Sequence, residues 1–127
     1  MLLWQMAARY KRKGVKTMGV RLLLRDETLT ARIVGEIDHH TARAVREEID
    51  SAAQKVKPLR LCLDFTEVPF MDSSGVGLIL GRYRLMQMWQ GRVILCGLSP
   101  QVEKLVEISG LSRLVTIERG ENHESHE

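Results

Sequence analysis

A chain of 127 residues is the size of one domain, long enough to bury most of its apolar surface without disulfide or metal staples. Its hydrophobic share of 44% and charged share of 28% exclude a collagenous or wholly disordered chain. The net charge of +3 comes from one end: five of nineteen basic residues, Arg9, Lys11, Arg12, Lys13 and Lys16, lie within residues 1–17, where there is no acid, and the other fourteen face sixteen acids. The body therefore lacks the net basic field that supplies most non-specific nucleic-acid affinity, and nucleic acid is not an expected partner.

In chain order, residues 1–17 place their apolar residues ahead of the positive cluster, the reverse of a secretory signal, and no run approaches membrane-spanning length. They are expected to form a disordered basic extension. A weak membrane-surface role is the lesser reading, and Met18 is an alternative start. The domain proper is expected over 18–118, followed by a polar tail, 119–127, and a cytoplasmic location is expected.

Val20, Leu22 and Leu24 alternate with Arg21, Leu23 and Arg25, and after Asp26-Glu27 the same period of two runs through Leu29, Ala31, Ile33, Gly35 and Ile37. That predicts a hairpin. Beyond Asp38, placed to cap, the spacing of Ala42, Val45, Ile49, Ala52, Ala53 and Val56 is helical, with Arg46, Glu47, Glu48 and Lys55 left for solvent. Pro58 stops this helix. The apolar run 59–65, broken by Arg60 and Asp64, predicts a central strand covered on both faces.

A short loop leads into Ser73-Ser74-Gly75 and a helix that Gly91 ends, then 93–96 predicts a buried strand. Ser99-Pro100 reads as an N-cap with proline in the first turn, Val102, Leu105 and Val106 line one face, and Gly110 closes the helix. A last strand is predicted at 114–117. The order ββαβαβαβ implies an α/β fold, a single mixed, mostly parallel sheet with helices packed against it. Cys62 and Cys96 lie in apolar runs with no C-x-x-C and are expected to be core thiols.

In parallel sheets functional loops leave the carboxyl ends of strands, which singles out 69–75. There Asp72-Ser73-Ser74-Gly75 opens a helix where unpaired N–H groups and the positive dipole end converge, so a phosphate on Ser73 would be tolerated. The competing reading is an unmodified serine cap. Behind the turn, Val76, Ile79, Leu80, Tyr83 and Met86 form one apolar stripe, and Gly77, Leu78, Gly81, Leu85 and Met88 a second, either packed within the domain or left as a partner groove.

From Met18 to about Ile117 the chain resembles the STAS domain of anti-sigma factor antagonists. The resemblance rests on Gly35-Glu36-Ile37-Asp38-His39-His40-Thr41-Ala42, Phe70-Met71-Asp72-Ser73-Ser74-Gly75-Val76-Gly77, Leu80-Gly81-Arg82-Tyr83, and Ser99-Pro100 with Ser109-Gly110-Leu111. It implies that Ser73 is phosphorylated by a partner that is both serine protein kinase and anti-sigma factor. The unphosphorylated protein would bind that kinase carrying ADP or ATP and so release a sporulation sigma factor, and a serine phosphatase would reset it. Asp38 matches a position that contacts the kinase, and the docking surface is expected to take in Asp72, Ser74, Gly75, Gly77, Leu78 and Gly81. The basic extension departs from the family pattern.

A general-stress or other sigma pathway is the alternative within this class. A nucleotide-binding protein is the alternative outside it, although the third glycine, Gly81, is misplaced for a dinucleotide turn. An enzyme pairing Ser73 with His39 or His40 and Asp38 lacks G-x-S-x-G, and the adjacent His39 and His40, with His123 and His126 in the tail, do not make a metal site. No catalytic residue, cofactor or metal is expected.

Overall fold

The computed structural model describes residues 5–11 and 17–119. Six strands form one sheet in sequential order: β1 (Gln5–Lys11), β2 (Thr17–Arg25), β3 (Thr28–Val34), β4 (Arg60–Glu67), β5 (Arg92–Cys96) and β6 (Thr116–Glu118). The first two pairings are antiparallel and the last three parallel. Helices α1 (His39–Val56), α2 (Ser73–Gln87) and α3 (Pro100–Ser109) are the crossovers, with a short 3-10 turn at Leu111–Arg113 before β6. Right-handed crossovers that always step to the next strand in the same direction place every helix on one face of the sheet. The buried cluster agrees: Leu61, Leu63 and Phe65 of β4 and Val93 and Leu95 of β5 pack with Val45 and Ile49 of α1, Ile79 and Met86 of α2, and Val102 and Val106 of α3.

The expected order is thus present with one strand added. Gln5–Lys11, inside the segment expected to be disordered, pairs antiparallel with β2, from Gln5 opposite Leu22 to Lys11 opposite Thr17. The physical reason is non-local: the β2 edge offers unpaired backbone groups that a short extended segment satisfies, with a register shift between Met6 and Ala8. The polar tail beyond 119, with His123 and His126, lies outside the described residues.

Local chemistry explains most boundaries. Asp26 and Glu27 both take positive φ, 52° and 65°, the geometry of a two-residue hairpin turn whose twist matches the flanking strands. Arg60 locks that turn to the start of β4, donating from Nη2 to the Asp26 carbonyl at 2.8 Å and from Nε to the Thr28 hydroxyl at 2.7 Å. Asp38 caps α1 by accepting from the His40 and Thr41 N–H groups at 2.9 and 3.0 Å, while the Thr41 hydroxyl accepts the Asp38 N–H at 3.0 Å. Such a reciprocal box is worth about 1 kcal/mol or somewhat more. Lys57, left-handed at φ 44°, ends the helix ahead of Pro58.

β4 is central, as its apolar run implies, but its two faces differ. Among the described residues the second face has no helix over it. There Asp64, 6% exposed, is shielded by polar neighbours: Arg32 Nε donates at 2.9 Å, and the Thr66 N–H and hydroxyl donate at 2.9 and 2.6 Å. Cys62 and Cys96 belong to this open face rather than to the apolar core, because each is an even number of residues from Asp64 or its strand partner.

Candidate partner-docking site

The carboxyl edge of the parallel sheet brings two helix starts together. A parallel bridge joins Ile37 to Met71, so the next residues, Asp38 and Asp72, cap α1 and α2 side by side. Asp72 Oδ1 accepts the Ser74 N–H at 2.7 Å. The cap is therefore Asp72, which resolves the competing reading of Ser73: this residue is the first of the helix, exposed, and among the described residues its hydroxyl has no hydrogen-bond partner. The loop beneath is held from the far side, where the Ser99 hydroxyl caps α3 through the Val102 N–H at 3.1 Å and donates to the Pro69 carbonyl at 3.1 Å. Ser99-Pro100 thus supports the Ser73 turn as well as its own helix.

Between α1 and the first turns of α2 lies a cavity of about 460 Å3 lined by His39, Ala42, Arg43, Arg46, Ser74, Gly77 and Leu78. Its rim is cationic on the α1 side, through Arg43 and Arg46, and acidic at the two caps. Gly77 is exposed and Gly81 half-buried, and a Cβ added to either would meet nothing within 4 Å. Each glycine costs a helix interior about 1 kcal/mol relative to alanine, so neither is explained by packing among the described residues.

Leu78 is a correction. Expected on the docking face, it is 3% exposed and belongs to the core cluster. The reason is that α1 packs over Leu78, which sequence spacing shows as part of a stripe but cannot assign to a neighbour. Gly75 is buried as well, and a Cβ there would run into the Met71 side chain, 2.8 Å from its Cγ. Its contribution is to let α2 start against the loop.

Sequence reasoning missed two features. Phe70, 44% exposed at the tip of the loop, adds a large apolar contact beside Ser73. The second is a buried ion pair that fastens α2 to α1. Arg82, 5% exposed, places Nε 2.7 Å from Asp50 Oδ1, a close ionic contact outside the angle of an aligned hydrogen bond. Its Nη2 donates to Asp50 Oδ2 at 3.2 Å and its Nη1 to the Leu78 carbonyl at 3.0 Å. Desolvation pushes the Asp50 carboxyl up and the Arg82 guanidinium down from their ordinary values, and the mutual attraction opposes both.

Residues 20–123, which take in the serine-bearing start of α2, match the STAS domain. The chain belongs to the STAS-domain family. It is 40% identical over 89 residues to the anti-sigma F factor antagonist of Paenibacillus polymyxa, covering 70% of this chain and 76% of that protein. Over 89 residues it is 37% identical to the anti-sigma-B factor antagonist of Listeria monocytogenes, covering 70% and 77%. Among solved structures it resembles the anti-sigma factor antagonist SpoIIAA in its unphosphorylated form, with a TM-score of 0.71, 35% identity and coverage of 84% of this chain and 92% of that one. The phosphorylated form of Bacillus SpoIIAA gives a TM-score of 0.65 at 34% identity, covering 84% and 96%. Among the described residues no helix is long and apolar enough to cross a membrane.

Proposed function

We propose that this chain is a non-enzymatic, cytoplasmic anti-sigma factor antagonist that binds an anti-sigma factor with serine kinase activity, frees a sporulation sigma factor, and is switched off by phosphate on Ser73. The carrying observation is the state of Ser73: exposed, at the first position of α2, with Asp72 already serving as the cap. A kinase can take this hydroxyl without undoing the fold. The phosphate would bring about −1.5 to −2 charges beside the Asp72 carboxylate, at the centre of the surface formed by Asp38, Phe70, Ser74, Gly77 and Gly81. A like-charge or desolvation penalty of about 2.7 kcal/mol weakens a complex roughly a hundredfold, and one phosphate can supply it.

The unpacked Gly77 and Gly81 support the same surface, since a partner backbone approaching α2 is what makes two helix-weakening glycines useful. The test is to incubate the protein with its cognate kinase and Mg-ATP, locate the phosphate by mass spectrometry, and compare binding. Ser73→Ala should stay bound and release sigma factor constitutively, whereas Ser73→Asp should bind poorly. Equal kinase affinity for the phosphorylated and unmodified protein would overturn the proposal.

The 37% identity to an anti-sigma-B antagonist favours a general-stress pathway as the second reading. Pull-down with the sporulation and stress kinases of the same cell separates the two. A serine phosphatase completes the cycle, and dephosphorylation should restore binding.

A further inference from the structure

The open face of the sheet holds a cluster that the docking surface does not use. Cys62 and Cys96, 34 residues apart in the chain, stand on adjacent parallel strands, with Cys62 opposite Ile94 and Cys96 opposite Asp64. Their Sγ atoms are 3.1 Å apart. β6 adds a third donor, because Glu118 is opposite Cys96, and one carboxylate oxygen and both sulfurs lie within 4.8 Å of one another. Cys62 is buried, Cys96 half-buried and Glu118 exposed, so the cluster opens to solvent on the Glu118 side.

We propose that Cys62, Cys96 and Glu118 form a binding site for a divalent cation of the zinc class, with water completing the shell. Two thiolates and a carboxylate are donors that zinc accepts, and they select against magnesium and calcium, which take oxygen alone. Tetrahedral zinc with Zn–S bonds of about 2.3 Å holds its sulfurs about 3.8 Å apart, which small side-chain rotations reach from the observed spacing. The rival use of the pair is a disulfide, for which the sulfurs, 3.1 Å apart, would have to close to about 2.05 Å. Binding exchanges the two thiol protons, released to solvent, for the cation.

Asp64 is not a further ligand, since Arg32 and Thr66 occupy its carboxylate. Arg32 also offsets part of the negative charge next to the cluster. An ion here would tie the three-residue β6 to β4 and β5.

The test is titration of the reduced full-length protein with Co2+ under a phosphine reductant, followed by Zn2+. The expected result is a near-ultraviolet thiolate-to-cobalt band with strong visible absorption, both displaced by Zn2+. Cys62→Ser and Cys96→Ser should each abolish the band, and Glu118→Gln should lower Zn2+ affinity about tenfold or more. A readout on the unaltered chain guards against unfolded variants: Zn2+ should slow alkylation of both cysteines by iodoacetamide. No thiolate-to-cobalt band, unprotected thiols, or a pair that closes to a disulfide under mild oxidation without taking up metal would overturn the proposal.

Discussion

Replacing Asp50 by alanine isolates the contact that fastens the Ser73 helix to its neighbour. The Arg82 side chain is 6% exposed and that of Asp50 27%, so the substitution leaves a buried guanidinium with only the Leu78 carbonyl to accept from it. Breaking a buried pair from one side costs about 3–5 kcal/mol, and the partial exposure of Asp50 points to the lower end, roughly 3 kcal/mol. For a domain of this size that lowers Tm by about 10 °C. Replacing both partners, Asp50→Leu with Arg82→Met, removes the stranded charge and should return stability to within about 1 kcal/mol of the parent, because the pair's attraction only offsets its own desolvation. Urea unfolding followed by far-ultraviolet circular dichroism measures all three proteins, and a constant m value shows that the two-state comparison holds. A single substitution that costs under 1 kcal/mol, or a double variant as unstable as the single, would refute the reasoning.

The cap assignment predicts that Asp72→Ala loses about 1 kcal/mol in the same urea assay while Ser73→Ala is nearly neutral; the reverse order would return the cap to the serine. Gly81→Ala should raise stability by about 0.5–1 kcal/mol, since its Cβ meets nothing, yet weaken kinase binding in calorimetric titration at least tenfold. Leu78→Ala should behave oppositely, costing about 2–5 kcal/mol in the same urea assay through a cavity between the helices.

Features set by neighbours along the chain are legible in the residue order itself. The hairpin turn at Asp26-Glu27, the caps at Asp38 and Ser99 and the stop at Gly110 each depend on a few adjacent residues, and each stands where the pattern places it. Of the docking site, the serine-bearing turn is readable because a strand running into Asp72-Ser73-Ser74-Gly75 defines a helix start, and the motif carries the family resemblance. Its limits are not readable: spacing marks Leu78 and Gly77 as one stripe, and only α1 lying over Leu78 separates a core residue from an exposed one.

What the amino-acid order determined alone was local: the type and approximate place of the elements from β2 to β6, and the turn that carries Ser73. Tertiary structure decided everything that depends on approach across the sheet or between helices. It set the pairing of β1 with β2, the burial of Arg82 against Asp50, and the meeting of Cys62 and Cys96 with Glu118. Backbone propensities and caps act over a few bonds and are written in adjacent residues, whereas register and packing bring together side chains tens of positions apart, which periodicity alone does not specify.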